Sequence, residues 1–305
     1  MSKTRMIVVG VCAWVLGMGA SPALAQDVPA DYQAVLAALG KGGDFKDGVL
    51  KVNIPRSDVR VTIGGRPAPT PFGFGGWIAL TKGDGGHDVM MGDLVLTEDE
   101  VNPVMSAVLN RGLDVTALHN HFFWDAPRMY FMHVHGIGTA ADLATRITPA
   151  IALIDQAVRR AAAPATAGPA APMPAPAALD HAALAAIIGH AGEQTGPVFK
   201  ITIGRPDINL REHGALINAR MGLNTWAAFA GSDADAMVAG DVAMLDREVT
   251  PVLKALRAAG LNAVALHHHM TGVSPSVIFV HYYGTGEATA LAKGVRAALD
   301  VLGSR

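Results

Sequence analysis

The sequence contains almost no cysteine. The only one, Cys12, lies in an apolar stretch near the N-terminus, and the rest of the 305-residue chain has none. A chain without thiols cannot form disulfides, so its fold must depend on a hydrophobic core. Any metal site beyond Cys12 must use imidazole, carboxylate or water as ligands. This excludes thiolate zinc and iron–sulfur centres and leaves zinc, copper, nickel, iron or manganese.

Charged residues are also scarce. They make up 16% of the chain, and 24 basic against 26 acidic residues leave a net charge of −2. The sequence shows no basic patch, so nucleic acid is not an expected partner. Half of the residues are hydrophobic. This composition is typical of a globular chain with room for two domains of ordinary size.

The N-terminus has the layout of a secretory signal peptide. Lys3 and Arg5 precede an apolar stretch over residues 6–19, and small residues follow up to Ala25. This stretch is shorter than the about 20 residues that a membrane-spanning helix needs. The pattern predicts that residues 1–25 are cleaved off and that the mature protein is periplasmic or secreted, without a stable membrane anchor.

The two halves of the chain repeat each other. The segment LKVNIPRSDVRV, beginning at Leu50, matches FKITIGRPDINL, beginning at Phe199, and GDLVLTEDEVNPV matches GDVAMLDREVTPV further along. Between the halves runs a segment rich in alanine and proline, which cannot bury a core and is typical of an exposed linker. The sequence therefore predicts two tandem domains, residues 31–155 and 179–305, joined by a linker over 156–178.

Each copy mixes helices and strands in the same order. We expect a short helix (Tyr32–Leu39 and His181–Ile188), several strands, a second helix, a β-hairpin and a closing helix. Thr97 and Glu100 have the spacing of a capping box at the start of the second helix. The predicted fold class is α+β, with a mainly antiparallel sheet whose hairpin packs on helices. The apolar hairpin positions expected to face the helices are Leu118, Tyr130, Met132, Val134, Leu266, Ile278 and Val280.

The most regular motif is a histidine pattern near the end of each copy. It reads ALHNHFFWDAPRMYFMHVHG in the first copy and ALHHHMTGVSPSVIFVHYYG in the second. Three imidazoles recur at a constant offset of 148 residues: His119, His121 and His133 match His267, His269 and His281. The first copy has a fourth, His135, where the second has Tyr283.

A β-hairpin would bring these histidines together. Side chains alternate along a strand, so the odd-numbered positions share one face. A turn centred near Pro127 would place His121 opposite His133 and His119 opposite His135, with Cβ atoms about 5 Å apart. Because a zinc–imidazole bond is about 2.0–2.1 Å long, three or four such rings can reach one ion.

The motif therefore predicts a divalent transition-metal site, with zinc as the best match. The first hairpin would supply His119, His121 and His133, with His135 as a further ligand or a support. The three matching histidines of the second copy form an equivalent set, which a degenerate copy could keep for packing alone. A composite centre across the two copies is another arrangement. The alternative without a metal is a set of buried histidines bonded to the backbone.

Three further residues are candidates for chemistry. Asp93, matched by Asp241, could be a ligand or general base, although a turn or strand-end carboxylate bonded to the backbone is the commoner role and the one we favour. Asp125 and Arg128 occur only in the first hairpin. They could move a proton and orient an anionic substrate beside the ion, or form an exposed ion pair.

Two other repeated features have simpler interpretations. An Arg-x-Asp pattern is expected to form structural ion pairs, although arginine can also bind a carboxylate. Its members are Arg56 with Asp58 and Arg205 with Asp207. Trp77 and its counterpart Trp226 are expected in the core.

Both copies resemble the LppY/LpqO family. The resemblance rests on GDLVLTEDEVNPVM, GLDVTALHNH and FMHVHGIG, and on the counterparts GLNAVALHHH and FVHYYGTG. It implies an exported bacterial protein built from a duplicated domain of unknown function, and it supplies no reaction. The chain departs from the family in two ways. Bulky Val11 precedes Cys12 where lipid attachment wants a small residue, and Tyr283 replaces the fourth histidine of the motif.

A narrower resemblance, confined to the hairpin, is to the zinc-dependent acetolactate decarboxylases. In that family two histidines separated by one residue are followed by a third on a returning strand, as in His119, His121 and His133. It implies a three-histidine metal centre and establishes no substrate. If the protein is an enzyme, the reaction class to test is hydrolysis or decarboxylation of a small carboxylated molecule. Asp93 or Asp125 would then move protons, while Arg128 orients an oxyanion. The alternatives are a non-catalytic periplasmic metal carrier and a scaffold module with structural histidines.

Overall fold

A computed structural model describes residues 27–162 and 178–303. The predicted signal peptide, Cys12 and most of the predicted linker lie outside the described residues. The helix that closes the first repeat continues to Ala162, so residues 156–162, assigned to the linker from the sequence, are helical. Within the described ranges, no helix is both long and apolar enough to cross a membrane.

The two repeats contain corresponding helices and strands. The first has α1 (Ala30–Leu39), β1 (Asp44–Lys46), β2 (Val49–Pro55), β3 (Val61–Ile63), β4 (Arg66–Ala68), β5 (Gly75–Lys82), β6 (Asp88–Thr97), α2 (Glu98–Leu109), β7 (Asp114–His119), β8 (Asp125–Ala126), β9 (Met129–Gly138) and α3 (Ala140–Ala162). The second has α4 (His181–Ile188), β10 (Gly192–Thr195), β11 (Val198–Gly204), β12 (Arg211–Glu212), β13 (Ala215–Leu216), β14 (Asn224–Gly231), β15 (Ala236–Leu245), α5 (Asp246–Ala258), β16 (Asn262–His267), β17 (Val277–Gly286) and α6 (Ala288–Leu299).

Each repeat forms one six-stranded antiparallel sheet. The strand orders β1-β2-β5-β6-β9-β7 and β10-β11-β14-β15-β17-β16 are equivalent. The predicted short helices are present, and the Glu100 carboxylate accepts a hydrogen bond of 2.8 Å from the Thr97 amide at the start of α2. These observations confirm the α+β class and the repetition of one fold.

One face of each sheet packs on the helices of its own repeat. Met132 and Val134 are buried there in the first repeat, as is Val280 in the second. Leu118 and Leu266 do not join these cores, because their side chains are 41% and 52% exposed. Both lie opposite core residues that face the helices, Met132 and Val280, so the predicted side of the sheet is right, and their position on edge strands leaves them exposed.

The opposite faces of the two sheets pack against each other. Met221 and Leu223 of the second repeat join a cluster with Val49 and Ala79 of the first. The matching loop of the first repeat, which includes Phe72, packs on the second sheet in the same way. The odd-numbered histidine face is therefore buried between the repeats. The pseudo-two-fold relation of this interface brings a residue near the axis close to its own counterpart.

A buried arginine holds the loop after β2 and the loop after β11. Arg56 forms ion pairs with Asp58 at 2.8 Å and with Glu100 at 2.5 Å. Arg205 pairs at 2.8 Å with Asp207 and at 2.9 Å with Glu248. The predicted role of both Arg-x-Asp patterns as structural ion pairs is thus confirmed. Each arginine links its loop to the N-terminal turn of a helix, α2 in the first repeat and α5 in the second.

Candidate metal centre

The first hairpin has a different register from the one predicted. Strand β7 ends at His119, which lies opposite Phe131, while His133 lies opposite Ala117. His121 follows the end of the strand. The prediction of a turn centred near Pro127 is wrong, because His119 pairs with Phe131 and the connection between β7 and β9 is a long loop in which β8 pairs with β3.

This register separates His135 from the other histidines. It lies opposite Asp114, with Nδ1 3.7 Å from a carboxylate oxygen of that residue. Its Nε2 lies 3.0 Å from Glu212 Oε2 of the second repeat. His135 is therefore placed in a contact with acidic residues, and it belongs to neither of the two candidate metal groups.

The other six histidines meet across the interface between the repeats. The ring centroids of His119 and His267 are 3.9 Å apart. Rings from opposite repeats also approach closely in two further pairs: His121 with His281 at 3.6 Å, and His133 with His269 at 4.1 Å. The two hairpins therefore form a single buried histidine cluster and not two separate sites.

Two groups within this cluster have the spacing of metal ligands. In each group, one nitrogen of every ring lies within 4.8 Å of the others. The groups are His119 with His267 and His281, and His133 with His267 and His269. Each combines one histidine of the first repeat with two of the second, and His267 belongs to both. The buried histidines can thus hold a metal ion, and the arrangement that the geometry presents is the composite one.

Asp241 adds a carboxylate to the cluster. Its Oδ2 lies 3.4 Å from Nε2 of His269, 3.9 Å from that of His281 and 4.0 Å from that of His267. An ion about 2.0–2.1 Å from four tetrahedral donors holds them about 3.3–3.5 Å apart. The distance from Asp241 to His269 matches this spacing and the other two are longer, and Asp241 belongs to neither of the two candidate groups.

Both aspartates lie in the middle of long strands. Asp93 is opposite Trp77 on one side and His133 on the other, and Asp241 has the equivalent place between Trp226 and His281. The preferred interpretation of a turn or strand-end carboxylate is wrong, because both side chains lie on the sheet face that carries the histidines.

Several ring nitrogens in the cluster have no hydrogen-bond partner. Nδ1 of His269 lies 3.1 Å from the Gly222 carbonyl oxygen, and Nδ1 of His281 lies 3.2 Å from that of Gly240. As Nδ1–H tautomers these rings donate to the backbone, which orients them and leaves Nε2 available to a metal. The buried nitrogens without a partner are both of those in His119, His121 and His267, and Nε2 of His133 and His281.

The environment keeps these histidines neutral. Burial lowers the pKa of His119 to about 2, of His269 to about 3 and of His267 to about 4. Neighbouring imidazoles lower the pKa of each further. Burial and then the charge of Asp241 raise the pKa of Asp93 to about 7. Neutral imidazole is the form that binds metals, so the cluster does not need to lose protons first.

Asp125 and Arg128 have other contacts. Asp125 is buried on β8 and accepts a hydrogen bond of 2.7 Å from the Met129 amide. Arg128 is exposed and donates to the Phe123 carbonyl. The interpretation of the two as an exposed ion pair is therefore wrong for Asp125, because its carboxylate holds the loop before β9.

Sequence reasoning missed two lysines on the same inter-sheet face. Lys51 Nζ lies 4.5 Å from the ring centroid of Trp77, and Lys200 Nζ lies 4.3 Å from that of Trp226. Both tryptophans are half-buried, so the prediction of core positions holds only in part. The signal was available, since the lysines occupy matching positions in the two copies.

Comparison with known proteins identifies a family and no function. The model of the family described as Domain of Unknown Function (DUF1259) matches residues 33–153 and again residues 182–301. This match confirms the predicted duplication of a domain of unknown function. No curated protein matches the chain.

Some solved structures align with most of the chain, but at very low similarity. They are the trimeric bacterial microcompartment shell protein PduB (13% identity, 83% of this chain and 86% of that chain, TM-score 0.19), EtuB from Clostridium kluyveri (9% identity, 84% and 90%, TM-score 0.19), and the double ringed trimeric shell protein MSM0271 from the RMM microcompartment (14% identity, 72% and 84%, TM-score 0.17). TM-scores this low carry no argument about fold or function.

Proposed function

The chain belongs to the DUF1259 family, whose description assigns no activity, and we propose that it binds a divalent transition metal between its two repeats. The observation that carries this proposal is the cluster of six neutral histidines, five buried and His119 half-buried, many of whose ring nitrogens have no partner. A buried polar atom without a partner costs about 1–3 kcal/mol. A bound ion would remove this cost at several nitrogens at once.

Zinc is the metal that we favour. Zinc takes four tetrahedral ligands from histidine and carboxylate, and three imidazoles with Asp241 would complete such a set. Imidazole also suits copper, iron and nickel. The absence of thiolate ligands among the described residues is consistent with any of these ions.

We further propose that this metal protein is exported. The basic and apolar N-terminal residues, which resemble a signal peptide, support a periplasmic or secreted location after cleavage near Ala25. The resemblance of both repeats to LppY/LpqO proteins supports the same location. Metal binding outside the cytoplasm is compatible with a carrier, and the burial of the histidines favours retention of the ion over rapid exchange.

Metal binding is tested on the full chain by elemental analysis after loading with zinc, and by the absorption spectrum of the cobalt(II) form. We expect a stoichiometric metal content in the wild type and loss of metal in the double variant His119→Ala/His267→Ala. The matched control is His268→Ala, because His268 lies in the same run of histidines but is exposed and bonded to the Val277 carbonyl. If the wild-type protein takes up neither zinc nor copper, the proposal is wrong and the histidines have only a structural role.

A metal-dependent hydrolase or decarboxylase is the second candidate. The observation that favours it is a buried carboxyl oxygen of Asp93 that has no hydrogen-bond partner, on a strand facing the cluster. A metal ion held beside such a group would supply a Lewis acid, which could activate water for hydrolysis of an ester or polarise a carbonyl for decarboxylation. Turnover of acetolactate or of carboxylic esters by the zinc-loaded protein, lost in Asp93→Asn, would support this candidate. Full metal binding without turnover would support the carrier.

A further inference from the structure

The two candidate groups of the histidine cluster share one ring. We call His119, His267 and His281 the outer group, and His133, His267 and His269 the inner group. A neutral imidazole carries a proton on one nitrogen and can donate a lone pair from the other, so it binds one metal ion at a time. Because His267 belongs to both groups, the two groups cannot hold an ion at the same time.

The two groups differ in their access to solvent. Every histidine of the inner group is buried, and His133 is only 2% exposed, on a strand with a neighbour on either side. The outer group contains His119, the one half-buried histidine of the cluster. Leu118, next to it in the chain, is 41% exposed. An ion from solvent therefore meets the outer group first.

The ends of two edge strands form this entrance. Strand β7 ends at His119 and strand β16 ends at His267, and the two ring centroids are 3.9 Å apart. Both strands are the outermost of their sheets. Thr116 of β7 donates a hydrogen bond of 2.8 Å to the backbone carbonyl of His269, which follows β16. The outer group thus lies where the edges of the two sheets meet.

A carboxylate lies within reach of both groups. Asp241 is a member of neither group, but its Oδ2 lies 3.9 Å from Nε2 of His281 in the outer group and 3.4 Å from Nε2 of His269 in the inner group. The same oxygen lies 4.0 Å from Nε2 of the shared His267. A negative charge in this place attracts a cation in either group.

The shared ring is also the least constrained of the second repeat. Nδ1 of His269 and Nδ1 of His281 each lie against a backbone carbonyl, whereas neither nitrogen of His267 has a hydrogen-bond partner. The ring of His267 can therefore turn from one group to the other without breaking a hydrogen bond.

We propose that a single divalent ion enters the protein at the outer group and is then transferred to the inner group while it stays bound to His267. During the transfer the bonds to His119 and His281 break. Bonds to His133 and His269 form in their place, and no proton or electron is exchanged. This inference rests on the proposed metal binding, and it adds the order in which the ligands act.

Rapid mixing of the full, metal-free chain with cobalt(II), followed by visible absorption, tests this order. We expect one cobalt ion per chain at saturation and two phases of uptake. The rate of the first phase should increase with the cobalt concentration, because this phase is the encounter with the outer group. The rate of the second phase should not depend on that concentration, because the transfer takes place within one molecule.

Alanine variants should fall into two classes. Removal of an outer ligand, in His119→Ala or His281→Ala, should abolish the first phase and leave only slow uptake. Removal of an inner ligand, in His133→Ala or His269→Ala, should keep the first phase and abolish the second. His267→Ala should lose both phases. Two variants in each class guard against a loss that is caused by misfolding of one of them.

The matched control is His135→Ala. His135 is a buried histidine two residues after His133, but it belongs to neither group, so its variant should show both phases. A variant that has lost a phase because the cluster is merely disturbed would not follow the division into outer and inner ligands.

The same experiment separates this inference from the proposed function. Uptake in a single phase by the wild type, binding of two ions per chain, or loss of the same phase in His119→Ala and His133→Ala would overturn the transfer and leave metal binding intact. A wild-type chain that takes up no cobalt, zinc or copper would overturn both.

Discussion

The two repeats carry the same histidine motif but arrange it unequally. In the second repeat, Asp241 Oδ2 lies within 4.0 Å of three imidazole nitrogens, and two of those rings are bonded to backbone carbonyls. In the first repeat, His119 and His121 have no partner at either nitrogen. Both candidate groups accordingly take two histidines from the second repeat and one from the first.

The difference suggests a division of roles after duplication. The second hairpin, which has Tyr283 in place of His135, has the rings of His269 and His281 oriented by backbone carbonyls before any ligand arrives, but not that of His267. The first hairpin completes each group with a single ring. Preorganised ligands bind an ion at lower cost than ligands that must first be ordered, so we expect the second repeat to dominate metal affinity.

The largest expected effect concerns stability and compares the two buried arginines. Arg56→Met should destabilise the fold by about 3–5 kcal/mol, because it leaves buried acids without a partner. Arg205→Met should cost less, since the side chain of Asp207 is 49% exposed whereas that of Asp58 is 5% exposed. Urea unfolding of the two variants measures the difference. An equal or larger loss in Arg205→Met would show that burial of the aspartate does not set the cost.

The next prediction compares single ligands. His267→Ala should lower zinc affinity about 100-fold or more, because it removes a member of both groups. His119→Ala and His133→Ala should each lower it less, since each removes a member of only one group. Competition with a chromophoric chelator measures these affinities. His135→Ala is the control and should bind as the wild type does. Equal losses in all three ligand variants would contradict the unequal roles.

The aspartates provide a finer comparison. Asp241→Asn should lower zinc affinity about 10–100-fold, as loss of a carboxylate that contacts ligand histidines does elsewhere. Asp93→Asn should have a smaller effect, because the contacts within 4.0 Å join the histidines to Asp241. The same chelator competition reports both. A larger loss in Asp93→Asn would reverse the assignment of roles to the repeats.

Much of the fold could be predicted because it depends on local patterns. The helix after Thr97 follows from its cap and its apolar spacing, and the duplication follows from matching segments such as those at Leu50 and Phe199. The register of the hairpin could not be predicted in this way. It includes a β-bulge in the edge strand of each repeat, between Val115 and Ala117 and between Ala263 and Ala265, which the alternation of side chains did not reveal.

The sequence predicted which residue types form the candidate site, but not that both repeats contribute ligands to the same site. Alternation along strands correctly placed six histidines on one face, yet it could not tell that this face is covered by the other repeat. His135 differs from the six only through its neighbours Asp114 and Glu212, the second of which comes from the other repeat. The lysine pair was overlooked although Lys51 and Lys200 occupy matching positions in the two repeats, because a lysine in a strand does not by itself indicate a site.

The smallest expected effect is on the pH dependence of stability, and it arises from the two lysines of the interface and not from its histidines. The pKa of Lys51 and Lys200 falls from 10.5 to about 8 in the folded protein. Between these values the unfolded chain binds more protons than the folded one, so stability should rise as the pH increases from about 8 to about 10.5. The groups that act on the lysines here are Arg220, Asp44, Asp93 and Asp241, in addition to the lysines themselves.

Lys51→Met and Lys200→Met should each flatten this rise, while Lys254→Met should leave it unchanged. The change is at most about 2 kcal/mol per lysine, because one pKa unit corresponds to about 1.4 kcal/mol and partial exposure screens the charge. Urea unfolding of the wild type and these variants at a series of pH values measures the rise. If stability still rises with pH in both methionine variants, groups other than these lysines cause the increase. The lysines would then not distinguish their end of the interface from the histidine end.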